Sequence, residues 1–208
     1  MARGKFISLE GGEGVGKSTQ LCALADLLRA RGLEVVTTRE PGGSPGAEVI
    51  RELLLTGDDS RWSPRAEALL FAAARADHVE KTICPALEAG KWVVSDRFLD
   101  SSLAYQGGAG ALGLENIRQL HLFGSEGFLP DRTLVLMLAE GEGVRRADAR
   151  DGGATDRIGR RRPDYHEAVD RAFRTIAAEE PARVRLIDAA GTPPEISARV
   201  AAELADLW

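Results

Sequence analysis

The sequence predicts a protein of the α/β class, with a parallel sheet of five strands and helices on both of its faces. Short apolar segments alternate with helical segments five times along the chain, an order that is typical of parallel sheets with helical crossovers. The strand segments are continuous apolar runs, as expected for strands buried on both faces. A glycine-rich segment between the first strand and the first helix has the spacing of a phosphate-binding turn.

The glycine-rich turn follows a short apolar strand, Phe6 to Leu9, and precedes a run of leucines at helical spacing. Its residues match the pattern G-x-x-x-x-G-K-S/T, in which backbone N–H groups and the positive end of the helix surround a polyphosphate. We expect Lys17 to reach the β- and γ-phosphates of a nucleotide and the Ser18 hydroxyl to hold Mg²⁺. The residues predicted to bind this nucleotide are Gly11, Gly12, Glu13, Gly14, Val15, Gly16, Lys17, Ser18 and Thr19.

The turn and the order of elements together predict a three-layer fold of the P-loop NTPase type. Ser63 and Pro64 are a typical N-cap and first residue for a long helix, and Gly90 is suited to end it. We expect three glycines at 107, 108 and 110 to break a helix and form a mobile loop. The other predicted strands are 33–38, 91–95, 133–138 and 184–187, and the other predicted helices are 47–55, 64–89, 98–106, 114–123, 164–178 and 194–207.

Length and composition are those of one globular domain, which we expect to span residues 1–208. The chain is 44% hydrophobic and 28% charged, with a net charge of −5. The negative charge argues against a nucleic-acid partner, and no apolar run is long enough to span a membrane. The first strand begins too soon for a signal peptide, and Cys22 and Cys84 are expected to be buried free thiols. These features predict a cytoplasmic protein.

Several charged residues are predicted to lie where strands end, at the edge of a parallel sheet that binds ligands. Arg39 follows the second strand, either as a solvated loop residue or as an anion contact, and we favour the anion contact. Asp96 and Arg97 follow the third strand, where a P-loop protein places the acid that helps to hold Mg²⁺. Phe71 and Arg75 share a face of the long helix, but helical spacing alone does not distinguish a binding pair from a core residue and a surface charge.

Residues 142–163 differ in composition from the rest of the chain, because they hold seven arginines, several glycines and few apolar residues. A charged run of this kind can be a solvated surface. In a chain with a phosphate-binding turn it can also be a lid that closes over phosphates and supplies an arginine to the reaction. We favour the lid.

The motifs resemble those of the thymidylate kinases over nearly the whole chain. Residues 10–19 resemble that family's P-loop, and Thr38-Arg-Glu-Pro-Gly-Gly43 resembles its second signature. Residues 70–75 and 96–107 resemble its nucleotide-site segments, and Asp156-Arg157-Ile158 resembles part of its lid. Glycine rather than arginine at position 14 is similar to the bacterial-type enzymes, whose catalytic arginine lies in the lid.

The resemblance implies an enzyme that phosphorylates dTMP to dTDP with ATP and Mg²⁺ in dTTP biosynthesis. Lys17, Arg97 and a lid arginine would be catalytic, with Arg150 and Arg146 as the first candidates for the lid arginine and Arg157 next. Ser18 and Asp96 would support Mg²⁺. The residues implied for dTMP are Phe71 on the thymine ring, Arg75 at O4, Ser102 at the base edge, Tyr105 and Gln106 at the sugar, Glu13 near the 3′-hydroxyl, and Arg39 and Arg97 on the phosphate.

The resemblance also implies a homodimer formed through apolar faces of the long helices, and it has two departures. Gly159 stands where the lid often has an acid, and Met137 stands where the fourth strand usually ends in Asp. Two other functions remain open at this stage. One is a kinase for another nucleoside monophosphate or a deoxynucleoside, and the other is a P-loop ATPase that acts as a switch through a partner. A GTPase lacks support, because the sequence has no N-K-x-D segment.

Overall fold

The structure is a computed structural model of the 208-residue chain. It describes residues 3–58, 60–139, 141–143, 145–146 and 156–207.

Five parallel strands form one sheet in the order β2-β3-β1-β4-β5. The first strand therefore lies at the centre, so the turn that follows it opens between its two neighbours at the carboxyl edge of the sheet. The strands are β1 (Phe6–Gly11), β2 (Val35–Arg39), β3 (Trp92–Asp96), β4 (Arg132–Met137) and β5 (Val184–Asp188).

Helices connect the strands and cover both faces of the sheet. The described helices are α1 (Lys17–Ala30), α2 (Pro45–Leu55), α3 (Pro64–His78), α4 (Cys84–Glu88), α5 (Leu99–Ser102), α6 (Leu114–Ser125), α7 (Pro163–Glu179) and α8 (Pro193–Ala202). Two π-helical segments, Val79–Ile83 and Leu103–Ala109, continue α3 and α5 respectively.

The predicted fold class is confirmed, and the predicted elements agree with the structure to within a few residues at most of their ends. The long helix begins as expected, since the Ser63 hydroxyl accepts a hydrogen bond from the backbone N–H of Ala66 and Pro64 is the first helical residue. It continues through the π-helical segment to Glu88 and ends before Gly90, whose φ is 78°.

Of the three glycines that we expected to form a loop, Gly107 and Gly108 are helical instead, whereas Gly110 follows the last helical residue. Helical structure continues to Ala109, and Gly107 is buried. A Cβ atom on Gly108 would lie 2.6 Å from the Cβ of Ala172 on α7. These glycines allow two helical segments to pack closely, and the gain in packing outweighs their poor helix propensity.

The two faces of the sheet hold separate hydrophobic cores because successive residues of β1 point to opposite sides. Phe6 packs against Phe98 and Phe173 on one side, whereas Ile7 and Leu9 pack on the other, against α1 and α8. Ser8 and Glu10 follow the direction of Phe6. The central strand therefore carries a polar pair, Ser8 and Glu10, into the face that supports the segment after β3.

The two cysteines differ from the expectation of burial. Cys22 is exposed and Cys84 is partly buried, because Cys22 lies on the outer side of α1. Among the helices of the described residues, none has the length and apolar character needed to cross a bilayer.

Candidate active site

A cleft of about 250 Å³ opens at the carboxyl edge of the sheet, between the phosphate-binding turn, α3 and the segment after β3. It brings together most of the residues that the sequence singled out. The residues that line it include Glu13, Gly14, Gly16, Lys17, Ser18, Thr19, Arg39, Phe71, Arg75, Asp96, Arg97, Ser102, Tyr105 and Gln106.

The phosphate-binding turn has the expected strand–turn–helix geometry. Gly16 caps α1 with a φ of 93°, a conformation that residues with a side chain rarely adopt. A Cβ atom on Gly11 would lie 2.4 Å from the carbonyl oxygen of Leu136. Glycine is therefore needed at one end of the turn for close packing and at the other for backbone conformation.

The Lys17 ammonium is folded back onto the turn. Its Nζ donates to the carbonyl oxygens of Gly12 at 2.6 Å and Gly11 at 3.2 Å. Burial, and then the positive charge of Arg97, lower the pKa of Lys17 to about 8. An ammonium held this way can exchange carbonyl oxygens for phosphate oxygens with little movement of the chain.

Ser18 and Asp96 meet at the mouth of the turn, where Ser18 Oγ donates to Asp96 Oδ2 at 3.3 Å. Hydroxyl and carboxylate oxygens are the hard ligands that Mg²⁺ prefers, and Mg²⁺ usually takes only one or two protein ligands beside phosphate and water. The pair therefore fits the predicted metal site.

Arg97 lies between the turn and the segment after β3. Its Nη1 donates to Gly11 O and Ser101 Oγ, each at 3.0 Å, and its Nη2 lies 2.9 Å from a carboxylate oxygen of Glu13. Its guanidinium carbon lies 5.0 Å from the centre of the Tyr105 ring. Burial by itself lowers the pKa of Arg97, but the Tyr105 hydroxyl and the carboxylates of Glu13 and Asp96 outweigh it and raise the pKa, so the charge persists.

Arg75 is held in a fixed orientation deep in the cleft. Nε donates to Glu40 Oε2 at 2.8 Å, and Nη2 donates to Ser102 Oγ at 2.7 Å and to Phe98 O at 3.1 Å. These bonds to the described residues use Nε and Nη2, so Nη1 is the nitrogen that can donate to a ligand. Burial of both members of the Arg75–Glu40 pair makes the orientation rigid.

The expected base and sugar contacts surround Arg75. Phe71 lines the cleft from the same helix and is partly buried. Tyr105 is buried, and its hydroxyl accepts a bond of 3.3 Å from Arg97. Gln106 Nε2 donates to Glu67 Oε1 at 3.1 Å, so the amide oxygen is the end that can face a ligand.

Arg39 lines the cleft together with a second arginine that the sequence did not single out. Arg39 Nη2 lies 3.0 Å from Glu48 Oε2. Arg51 also lines the cleft, and its Nη1 donates to Pro41 O at 2.7 Å. The signal in the sequence was position, because α2 begins after the short loop that follows Arg39.

The candidate lid arginines differ in their surroundings. Arg150 lies outside the described residues. Arg146 is exposed and pairs with Glu142. The side chain of Arg157 is 1% exposed and pairs with the buried Glu67, and its Nε donates to Leu54 O at 2.9 Å. These contacts hold the Arg157 side chain in place. They support a structural role more than the catalytic role that the resemblance also implied.

Three buried carboxylates support the site, and the sequence analysis did not identify any of them. Glu10 contacts the segment that carries Arg97, Glu40 holds Arg75, and Glu67 holds Gln106 and Arg157. The only available signal was that Glu10 and Glu40 lie within or beside sequence motifs. Nothing near Glu67 in the sequence points to its partners.

Comparison with known proteins agrees with this geometry. The sequence model of the family described as thymidylate kinase matches residues 9–200. A thymidylate kinase from Rhizorhabdus wittichii is 62% identical and aligns over 98% of both chains. One from Bradyrhizobium diazoefficiens is 49% identical over 98% of this chain and 90% of the relative. The crystal structure of thymidylate kinase from Ehrlichia chaffeensis superposes with a TM-score of 0.77 at 30% identity, over 98% of this chain and 99% of that one. The chain belongs to the thymidylate kinase family.

Proposed function

We propose that this chain transfers the γ-phosphoryl group of ATP to dTMP, giving ADP and dTDP for the synthesis of dTTP. The observation that carries the proposal is the shared cleft. Lys17 and its turn line this cleft together with Phe71 and Arg75. Arg97 contacts the turn at Gly11 O and the segment after β3 at Ser101 Oγ. This arrangement would bring an acceptor phosphate up to the γ-phosphorus of ATP.

Transfer of the phosphoryl group mainly requires that the two substrates are positioned and that negative charge is neutralised. A phosphate oxygen of dTMP is already ionised at neutral pH, so it can attack the γ-phosphorus in line without a strong general base. Lys17 would neutralise the transferring group, and Arg39 and Arg97 would hold the acceptor phosphate. Ser18 and Asp96 would hold Mg²⁺, which would supply positive charge that neutralises the ATP phosphates.

Selection of thymine follows from the orientation of Arg75. Its Nη1 would donate to the O4 atom of thymine, while Phe71 would lie against the base. Cytosine carries an amino group at that position, so two donors would face each other and the buried guanidinium would lose its acceptor. Ser102 is bonded to the same guanidinium and would contact the edge of the base.

Selection of the sugar would come from Tyr105, Gln106 and Glu13. The buried Tyr105 ring would leave little room beside the sugar for a 2′-hydroxyl, with Gln106 next to it. Glu13, which is paired with Arg97, would lie near the 3′-hydroxyl. The Arg97–Glu13 pair would thus join recognition of the acceptor sugar to that of its phosphate.

Residues 142–163 would close over the phosphates, exclude water and supply an arginine to the transition state. Asp156 and Ile158 line the same cleft as Phe71 and Arg75, which supports a lid whose end lies beside the site proposed for dTMP. Arg146 and Arg150 are the candidates for the catalytic arginine.

We further propose that the chain forms a homodimer and acts in the cytoplasm, where its nucleotide substrates are found. Phe123 is 93% exposed, Leu122 58% and Leu69 55%, on the neighbouring helices α6 and α3. Exposed large apolar side chains grouped in this way favour burial against a second copy.

A panel of acceptors tests the reaction. Purified protein with ATP and Mg²⁺ should phosphorylate dTMP, and dUMP more weakly, while UMP, dCMP and dGMP remain unchanged. A preference for another acceptor would contradict the base assignment. ADP release that does not depend on any acceptor would favour a switch ATPase instead.

A further inference from the structure

Glu10 is a buried carboxylate to which the proposed reaction gives no part. It lies near the end of β1, directly before the phosphate-binding turn, and it is 0% exposed. A carboxylate removed from water needs hydrogen-bond donors in its place. The identity of those donors indicates what the residue does.

The donors connect Glu10 to the segment after β3, 88 residues away in the sequence. Glu10 Oε1 accepts bonds of 2.7 Å from the backbone N–H of Phe98 and from Ser8 Oγ. Its Oε2 accepts a bond from Ser101 Oγ. Ser101 Oγ in turn accepts the 3.0 Å bond from Arg97 Nη1. Glu10 is therefore joined to the Arg97 segment by one backbone bond and one side-chain relay.

Arg97 needs this support because its backbone is strained. Its φ is 70°, in the left-handed region that residues with a side chain seldom occupy. Such a conformation persists only where the surroundings hold it. The Arg97 N–H donates to Leu9 O at 2.9 Å, and Ser95 Oγ donates to Arg97 O at 2.7 Å. The bond from Phe98 N to Glu10 fixes the next peptide.

We propose that Glu10 is a positioning residue, whose carboxylate holds Arg97 in this conformation so that the guanidinium faces the acceptor phosphate. The proposal rests on the proposed function, which gives Arg97 that phosphate as its target. Because Glu10 also adjoins the phosphate-binding turn, it sets the spacing between the donor and acceptor ends of the cleft.

Burial and the surrounding groups act in opposite directions on the ionisation of Glu10. Burial, and then the negative charge of Asp100, raise the pKa of Glu10 to about 7, while the hydroxyls of Ser101 and Ser8 and the charge of Arg97 act in the opposite direction. Asp100 is itself paired with Arg183 at 2.7 Å. The donors and Arg97 thus favour the ionised form of Glu10 at a buried position.

The test compares binding of dTMP and thymidine, which differ only in the phosphate. Glu10→Gln keeps the shape but replaces Oε2 with a donor, so Ser101 loses its acceptor and the negative charge beside Arg97 disappears. We expect the Kd for dTMP to rise on the order of 10-fold, the size of effect of a lost charge-assisted hydrogen bond. The Kd for thymidine should change much less, because thymidine has no phosphate for Arg97 to contact. Unchanged binding of dTMP, or equal losses for both ligands, would overturn the proposal.

A double-mutant cycle separates positioning from a general structural effect. In an Arg97→Ala background, Glu10→Gln should weaken dTMP binding no further, because Glu10 acts through Arg97. Additive losses would contradict the proposal. Ser8→Ala is the matched comparison, since it removes one donor from the same carboxylate but cuts neither link between Glu10 and the Arg97 segment. It should raise the Kd for dTMP less than Ser101→Ala does, and a larger rise would contradict the proposal.

Ser101→Ala provides a second test if Glu10→Gln does not fold. This variant removes the Ser101 link between Glu10 and Arg97 but keeps the bond from the Phe98 N–H to Glu10. We therefore expect a smaller loss of affinity, which is again specific to dTMP. Normal dTMP binding by this variant would then overturn the proposal. Failure of the proposed function itself would be recognised separately, because the wild-type protein would not phosphorylate dTMP.

Discussion

Arg75 and Glu40 form a buried ion pair that orients the candidate base-recognition residue, with Nε 2.8 Å from Oε2. The other oxygen of Glu40 lies 3.0 Å from Nδ1 of the fully buried His78. The ring of His78 reaches Thr38 Oγ1 at 2.7 Å. The residue proposed to read thymine is thus fixed to the end of β2, beside the arginine proposed to hold the phosphate.

Replacement of Arg75 by Lys should impair recognition of the base and leave the ATP site intact. Lysine keeps the charge that Glu40 needs but loses the planar set of donors. We expect the KM for dTMP to rise about 10-fold or more, as for a lost hydrogen bond to a charged group, and the KM for ATP to stay within about 2-fold. Steady-state kinetics with each substrate varied measures both values.

Arg65→Ala is the control for this variant, because Arg65 is an exposed arginine on the same helix. Its kinetics should match the wild type. Equal increases in both KM values for Arg75→Lys would mean that Arg75 supports the fold and not the base.

The activity should fall at alkaline pH as Lys17 loses its proton. Only the ammonium form pairs with phosphate, and in the free protein the pKa is about 8. The value of kcat/KM for ATP should therefore be high below pH 8 and decline above it. Bound phosphate favours the charged form, so kcat should decline only at higher pH. In Lys17→Arg, whose guanidinium stays charged, the residual activity should show no such decline, and a decline at the same pH would assign it to another group.

Substitution of Arg157 should lower the thermal stability of the protein, whereas substitution of Arg146 or Arg150 should not. Arg157→Ala would remove a buried partner of Glu67, which among the described residues would keep its bonds from Arg161 and Gln106. Removal of one member of a buried pair costs about 3–5 kcal/mol, so Tm should fall by several degrees. The variant at Arg146 or Arg150 that removes the catalytic arginine should keep its Tm and lose on the order of 10³-fold in kcat.

Arg162→Ala is the control for the lid variants, since the Arg162 side chain is 86% exposed. Neither its Tm nor its kcat should change. If Arg157→Ala keeps the wild-type Tm but loses most of its kcat, Arg157 would be a catalytic residue and not a structural one.

Gly108→Ala should destabilise the protein because the added Cβ would lie 2.6 Å from the Cβ of Ala172. Overpacking of this kind typically costs about 1–3 kcal/mol. Urea unfolding measures the change in the free energy of unfolding. A second substitution, Ala172→Gly, removes the opposing carbon and should recover part of the loss. No recovery in the double variant would show that the contact is not the cause.

The parts of the site that the sequence revealed are those encoded locally. Lys17 and Ser18 could be assigned because the glycines, the lysine and the hydroxyl occupy fixed positions within one turn. Arg39 and Arg97 could be placed at the cleft because the ends of parallel strands share one edge. The resemblance then supplied expectations for residues such as Phe71, which helical spacing alone could not distinguish from the core.

The parts that the sequence did not reveal depend on contacts between distant segments. Glu10 meets Phe98, and Glu67 meets Arg157, across long intervals of the chain. Neither pairing leaves a periodic pattern. The glycines at 107 and 108 were misread for a related reason, because helix propensity is a local preference and close packing against α7 overrides it.

The most direct test is a crystal structure with dTMP and a non-hydrolysable ATP analogue bound. The base should lie against Phe71 with O4 at Arg75, the monophosphate should contact Arg39 and Arg97, and the polyphosphate should occupy the turn around Lys17. Location of dTMP anywhere other than between Phe71 and the two arginines would contradict the proposed function.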